Sequence, residues 1–208
     1  MTDTYPENVS YHLITAQILI KLKQFSQAKK IIESLYSKYP TNSKISTSYA
    51  LLQLNLGKLD IAKQVLTEVL KEDENNNQSA LLLAKVEYQL GNKEAAIAGF
   101  ERQAKILSVK NIALTELANI YIEEQEWQIA LLVIDQILSE NRLNIQALFK
   151  KAEVLLLLEQ PKESKKKLNI LAGLVDENVP MLMKLSQLQL QVGDLSGAEY
   201  SQNKESIR

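Results

Sequence analysis

A small residue returns every 34 positions along most of this chain of 208 residues, as in the step from Ala28 to Ala62. A second column of small residues stands twelve positions earlier and keeps the same interval. The two columns are Ala28, Ala62, Ala96, Ala130, Ser164 and Ala198, and Ala16, Ala50, Ala84, Ala118, Ala152 and Ser186. A fixed period of about 34 residues is typical of a tandem helix–turn–helix unit. The sequence therefore predicts an all-α fold built from copies of one helical pair.

Large apolar residues follow the same period and explain why the small ones are needed. One row follows the earlier column by two positions, and another follows the later column by four. They are Ile18, Leu52, Val86, Ile120, Val154 and Leu188, and Ile32, Leu66, Phe100, Ile134 and Leu168. Small residues let the two helices of a unit approach closely, and the large ones fill the space beside them. Between the two helices stand Gly57, Gly91 and Gly193, because a residue that tolerates positive φ ends a helix.

These columns resemble the tetratricopeptide repeat (TPR) family, which has small residues at the eighth and twentieth positions and Gly or a polar residue near the fifteenth. Pro40 stands at the family's thirty-second position. The resemblance implies a right-handed α-solenoid of six units, each with a helix A and a helix B, and repeat positions below are counted from the start of each unit. The units are 9–42, 43–76, 77–110, 111–144, 145–178 and 179–208. The fourth position lacks the bulky aromatic residue that the family often has, which argues against assigning a subfamily.

The two ends of the array give different signals. The segment Tyr5–Asn8 repeats the Tyr-Pro-x-Asn pattern of Tyr39–Asn42, which ends a unit. We therefore expect residues 1–8 to be the tail of a preceding unit, and the chain to be a segment of a longer array; the alternative is a natural terminus that carries a Tyr-Pro turn. Near the other end, Ser201 and Gln202 stand where earlier units have apolar residues, as a terminal cap requires.

Composition excludes several classes of function. A formal net charge of −1 gives no reason to expect binding to nucleic acid or to an anionic membrane. No apolar run approaches the roughly 18 residues of a membrane span, so we expect no direct membrane insertion. With one histidine, no cysteine and no catalytic or phosphate-binding motif, the sequence predicts a protein that is not an enzyme and has no cofactor or metal. The compartment stays open: cytoplasmic or, for a segment of a longer protein, periplasmic.

The TPR resemblance also implies a binding surface. In that family the A helices line a concave groove, into which the second, fifth, ninth, twelfth and thirteenth positions point. The residues expected to line it here are Gln17, Leu51, Lys85, Tyr88, Gln89, Asn119, Glu123, Phe149, Glu153 and Gln187. Polar side chains at the ninth and thirteenth positions gain nothing from packing, so we expect them to face the groove. Amide and apolar side chains together suit an extended peptide or a helix of a partner protein.

Other conspicuous residues are interpreted as structural. His12 and Trp127 occupy packing positions of their helices. A basic run, Lys162 with Lys165–Lys167, and an acidic group, Glu123, Glu124 and Glu126, are most often solvated faces. Opposite patches of this kind also offer a route to self-association. The set of Lys, Asn and Arg positions with which some TPR domains hold a chaperone's terminal carboxylate is absent from every three consecutive units.

The sequence thus favours a noncatalytic protein-interaction scaffold that holds a peptide or helix of an unidentified protein partner in its groove. Three alternatives stay open. The chain could be a spacer or self-association module of a larger protein, such as bacterial envelope, secretion or exopolysaccharide systems contain. It could also be an accessory domain of an enzyme, or a chaperone for secreted substrates.

Overall fold

The computed structural model of the chain describes residues 6–176 and 178–206, and over these ranges it contains twelve α-helices and no strand. The prediction of an all-α fold made of helical pairs is confirmed, because successive helices pack as antiparallel pairs with the expected period. The helices are α1 (Pro6–Lys21), α2 (Phe25–Lys38), α3 (Ser43–Asn55), α4 (Leu59–Glu72), α5 (Asn77–Gln89), α6 (Lys93–Gln103), α7 (Lys110–Glu123), α8 (Trp127–Glu140), α9 (Ile145–Leu157), α10 (Pro161–Leu174), α11 (Val179–Gln191) and α12 (Leu195–Ser206).

The chain divides into two compact units, Met1–Val109 and Lys110–Arg208, each with three helical pairs. We call them unit 1 and unit 2, and we call each helical pair a repeat. Odd-numbered helices are the A helices and even-numbered ones the B helices. In both units the small columns are buried, and Ala16, Ala28, Ala118 and Ala130 have no exposed surface. The large residues beside them, such as Leu66 and Ile134, are also buried, except Ile18 on α1, which is 51% exposed, so the register read from the sequence is correct.

Each tight turn between helix A and helix B contains one residue in the left-handed region. Three of them are the expected glycines, with φ between 73° and 83°. The other three are Lys23, Gln125 and Glu159, with φ between 57° and 61°. A side chain in this region costs roughly 1 kcal/mol, so the packing of the flanking helices imposes the turn even without glycine.

An asparagine caps the first helix after four of the five boundaries between repeats. Asn42, Asn76, Asn144 and Asn178 each accept a hydrogen bond from the backbone N–H three residues later, at 3.1–3.2 Å. This satisfies an N–H group that the first helical turn leaves unpaired. The column is broken at position 110, which is a lysine and begins unit 2. Helix α6, which precedes this boundary, ends early, at Gln103.

The start of the array differs from the expected pattern. Helix α1 begins at Pro6, so Pro6–Asn8 form its first turn, whereas the matching residues Pro40–Asn42 form a turn that precedes α3. Proline is compatible with a first helical turn because the missing N–H has no partner there. Residues 1–5 of the expected tail lie outside the described part of the chain.

Candidate binding groove

A groove of about 960 Å³ lies on the A helices of unit 2. Helices α9 and α11 form most of its wall, and α7 and α12 contribute one residue each. Its lining consists of Ile122, Glu153, Leu156, Leu157, Pro180, Met183, Lys184, Ser186, Gln187, Leu188, Leu190, Gln191 and Gln202. The volume lies at the upper end of the range of small-molecule pockets, and the groove is open enough for a peptide or a helix.

Large apolar side chains are exposed inside this groove. Leu157 is 52% exposed, Met183 56% and Leu190 49%. They occupy the thirteenth, fifth and twelfth repeat positions, which the TPR resemblance predicts for the groove. Single exposed apolar residues are ordinary, but several that line one concavity are typical of a binding site.

The polar part of the groove is an ion pair that joins the two main helices. The Lys184 ammonium lies 2.8 Å from the Glu153 carboxylate and 5.2 Å from the centre of the Phe149 ring. Glu153 is at the ninth position of its repeat, and Lys184 is at the sixth position of the next. Since these are the two charged residues among those that line the groove, it presents paired charges beside amide groups and apolar side chains.

Contacts between the ninth position of one repeat and the sixth position of the next also link other A helices. In unit 2, the Lys150 ammonium donates a hydrogen bond of 2.5 Å to Asn119 Oδ1, across 31 residues. In unit 1, Gln17 Nε2 donates to Ser48 Oγ at 2.8 Å, again across 31 residues. Gln17, Asn119 and Glu153 are all half-buried. The expectation that polar side chains at the ninth position gain nothing from packing is therefore wrong for these three residues, because each bonds the sixth position of the next repeat.

Phe149 does not face the groove, and this corrects the sequence-based prediction. Its side chain is 1% exposed and packs in the core of unit 2 with Leu168 and Leu185. Helix α11 covers it, and the Lys184 ammonium lies over its ring. Met183 has the same repeat position on α11 but is exposed, so position alone does not decide exposure.

The other predicted residues are divided between the units. In unit 2, Gln187 is exposed and lines the groove, while Glu123 is exposed on α7 but is not among the lining residues. The predicted residues of unit 1 vary: Lys85 and Gln89 are exposed, Tyr88 is half-buried, and Leu51 packs half-buried against a core cluster. Sequence reasoning missed Lys184 and Gln202. The spacing of 31 residues between opposite charges would have indicated Lys184.

Within 6–176 and 178–206, no three His, Cys, Asp or Glu side chains stand close enough to hold a metal ion. No described helix combines the length and the apolar character needed to cross a membrane.

Comparison with known proteins agrees with this architecture. Residues 19–80 match the family model described as tetratricopeptide repeat. This stretch of the chain is therefore a tetratricopeptide repeat segment. The family resemblance read from the sequence is thereby confirmed, and the TPR is in general a protein-interaction fold. No curated protein sequence matches the chain significantly.

Solved TPR structures share the fold at low sequence identity. PilF from Pseudomonas aeruginosa is 14% identical, with a TM-score of 0.73 over 97% of this chain and 92% of that one. PilW, described as a type IV pilus biogenesis factor, is 13% identical, with a TM-score of 0.74 over 96% of this chain and 93% of that one. A TPR protein from Parabacteroides merdae is 19% identical, with a TM-score of 0.66 over 95% and 78% of the two chains. Identities this low establish the fold alone.

Proposed function

We propose that this TPR chain is a noncatalytic interaction scaffold, and that the groove of unit 2 binds a helix or an extended segment of a partner protein. The observation that carries the proposal is the exposure of Leu157, Met183 and Leu190 inside one groove of about 960 Å³. Apolar surface of this kind is stabilised when a complementary apolar face covers it.

The polar lining specifies what kind of segment fits. Glu153 and Lys184 neutralise each other, so a strongly charged segment gains little from the groove. Gln187 and Gln191 are exposed along the same helix, and their amides can both donate to and accept from a peptide backbone. We therefore expect a partner segment with apolar side chains on one face and few charges beside them.

The same lining supports a noncatalytic role. A general acid, base or nucleophile needs an ionisable group that is free to react with a substrate. The two charged groups of the groove are bonded to each other, and the remaining lining is apolar, amide or hydroxyl. Spacer, enzyme-accessory and chaperone roles differ in what the partner is, so capture of the partner distinguishes them.

The test uses two leucines that are exposed to a similar extent on unit 2. Leu157 lies inside the groove, and Leu132 is 66% exposed on α8, outside it. Partners are captured from the source organism with the wild type, Leu157→Lys and the control Leu132→Lys, and a photo-crosslinker at Gln187 fixes the contact. We expect Leu157→Lys to weaken capture about tenfold or more, which corresponds to about 1.4 kcal/mol, while the control binds as the wild type does.

Two results would contradict the proposal. One is a partner that Leu157→Lys retains and Leu132→Lys loses, which would place the binding surface on the B helices. The other is a captured partner that never crosslinks to position 187. Circular dichroism of each variant confirms that the helices are intact, so that loss of folding is not read as loss of binding.

A further inference from the structure

A separate cavity of about 430 Å³ lies in unit 1 between helices α4, α5 and α6. We call it the third-repeat cavity, and it shares no lining residue with the groove of unit 2. One buried polar side chain, Gln103, lines it and is 8% exposed. The apolar part of the lining consists of Leu70, Ala80, Leu83, Ala84, Ala95 and Gly99.

The Gln103 amide lacks a hydrogen bond that a buried amide normally makes. Its Oε1 is buried and has no hydrogen-bond partner in the described part of the chain. Buried polar atoms are nearly always paired, because an unpaired one lowers the stability of the fold. The last torsion of a glutamine side chain is soft, so the amide can turn its oxygen towards a ligand. A ligand that donates a hydrogen bond in the cavity therefore satisfies this acceptor.

The other repeats show that the third repeat departs from the packing of the fold at this place. Gln103 is at the twenty-seventh repeat position, where apolar residues at most 6% exposed stand elsewhere: Val69, Ile137 and Leu171. Ala80 is at the fourth position, where the last three repeats bury leucines that are 2% exposed: Leu114, Leu148 and Leu182. The third repeat thus has a methyl group and an amide where larger or apolar side chains pack well in the same fold.

The second repeat has a cavity at the corresponding place, but its polar group is satisfied. That cavity measures about 370 Å³ and is lined by Ser46 and Val69, at the positions of Ala80 and Gln103. The Ser46 hydroxyl donates to the Pro40 carbonyl at 2.8 Å. The two cavities therefore form a matched pair, of which the one in the third repeat has the unpaired acceptor.

The charges around the third-repeat cavity balance. Its charged lining residues are Glu74, Glu87 and Arg102. The Lys63 ammonium lies 2.9 Å from the Glu87 carboxylate, so these four side chains together carry no net charge. A site without net charge gives no electrostatic preference for an anion or a cation. An uncharged ligand fits this balance.

We propose that the third-repeat cavity binds an uncharged, mostly apolar ring that carries a hydrogen-bond donor, with Gln103 Oε1 as the acceptor. A volume of about 430 Å³ lies within the range of small-molecule sites, and such sites combine an apolar lining with a few polar groups. Indole has the required chemistry, since its apolar body carries one N–H donor and no strong acceptor. Such a ring can come from a free small molecule or from a tryptophan side chain of a peptide.

Titration of the whole chain with indole, followed by NMR of the backbone amides, tests the proposal. Benzothiophene is the matched ligand, because it has a similar shape but no N–H. We expect indole to bind with a Kd of about 1 mM or lower, as is usual for a small ligand. Indole should bind about fivefold more tightly than benzothiophene, the gain that one hydrogen bond supplies. N-acetyltryptophanamide distinguishes the two sources: tighter binding than that of indole indicates a peptide tryptophan, and weaker binding indicates a free molecule.

Variants with side chains that other repeats carry at the same positions locate the site. Ala80→Leu fills the cavity and should abolish binding of both ligands. Gln103→Val introduces the residue of the second repeat, and indole and benzothiophene should then bind equally. Ser46→Leu makes the change of Ala80→Leu in the second repeat and is the control, which should bind indole as the wild type does. Circular dichroism of each variant verifies that the helices are intact.

Three results would overturn the proposal. The first is a wild type that binds neither ligand at about 1 mM, the weak limit for a compact ligand. The second is indole binding that Ala80→Leu leaves unchanged, because the ligand would then lie elsewhere. The third is equal affinity of the wild type for indole and benzothiophene, because the Gln103 oxygen would then have no role. No measurement uses the groove of unit 2 or its partner, so this proposal and the proposed groove function can fail independently.

Discussion

Within each unit, side chains at equivalent repeat positions link neighbouring A helices, but the chemistry of these links differs between the two units. In unit 1, Gln17 bonds Ser48 at 2.8 Å, and the hydroxyls of Thr47 and Ser79 are 2.7 Å apart. In unit 2, Asn119 bonds Lys150, and Glu153 pairs with Lys184. Short neutral groups therefore link the helices of unit 1, whereas long cationic side chains link those of unit 2.

The fifth repeat position shows the consequence for packing. Thr47 holds this position in unit 1, is buried, and bonds the buried Ser79. Phe149 holds it in unit 2, where the long Lys184 side chain reaches over its ring. The comparison shows that one backbone position supports a small polar contact or a large apolar one, depending on what the next repeat supplies.

The largest expected effect is loss of the Phe149 ring. Phe149→Ala leaves a cavity in the core of unit 2, and we expect unit 2 to lose about 3–5 kcal/mol. Thr47→Ala leaves the Ser79 hydroxyl without this partner and costs unit 1 about 1–3 kcal/mol. The single tryptophan, Trp127, lies in unit 2, so its fluorescence during urea unfolding follows that unit, while circular dichroism follows both.

The fluorescence transition should move to lower urea in Phe149→Ala and stay close to that of the wild type in Thr47→Ala. Equal shifts of both signals in both variants would mean that the two units unfold together. Repeat arrays often depart from all-or-none unfolding, so this result also decides whether the units may be treated separately.

The next effect concerns two buried glutamines at the eleventh repeat position. Gln189 Oε1 in unit 2 accepts a hydrogen bond from Ser201, whereas Gln53 Oε1 in unit 1 is buried without a hydrogen-bond partner in the described structure. Ser201→Ala should destabilise unit 2 by about 1–3 kcal/mol, since it leaves a buried acceptor unpaired. Gln53→Leu should leave unit 1 as stable as before or more stable.

Leu155 shows that a leucine fits at this position, because it is buried at the equivalent place of another repeat. Thermal unfolding of Ser201→Ala and Gln53→Leu provides the measurement, with Glu199→Ala, an exposed change on α12, as the control. Destabilisation of unit 1 by Gln53→Leu would show that the Gln53 amide stabilises the fold even though its oxygen has no hydrogen-bond partner.

How far the sequence predicts this molecule follows from the kind of contact involved. The six helical pairs were predictable because close helix packing requires a small residue at fixed places, and Ala28 and Ala62 are indeed fully buried. The groove was predictable only in part. Phe149 and Met183 share a repeat position, yet one is buried and the other exposed, because exposure depends on what packs over each. The Asn cap column was readable from the sequence, and it is interrupted at Lys110, where the units divide.

That break suggests a pair of substitutions with smaller effects. Asn144→Ala removes the cap of α9 and should lower the stability of unit 2 by about 1 kcal/mol. Lys110→Asn restores the missing column at the start of α7, and its gain should be smaller, because the ion pair of 2.5 Å between Lys110 and Glu140 is lost. Hydrogen exchange of the first amides of α7 and α9 measures both changes. Faster exchange at α7 in Lys110→Asn would contradict the cap explanation.

The smallest effect separates the two kinds of link between A helices. Glu153 and Lys184 are both more than a third exposed, so their coupling in a double-mutant cycle should be at most about 1 kcal/mol. Because salt screens exposed charges, this coupling should shrink between 0.1 and about 1 M salt, while the neutral Gln17–Ser48 coupling should not. The Glu153→Gln and Lys184→Met variants provide the first cycle, and Gln17→Leu and Ser48→Ala the second. If both couplings respond to salt alike, the charges in unit 2 do not set it apart from unit 1, and the size of the side chains at the sixth position is the remaining physical difference.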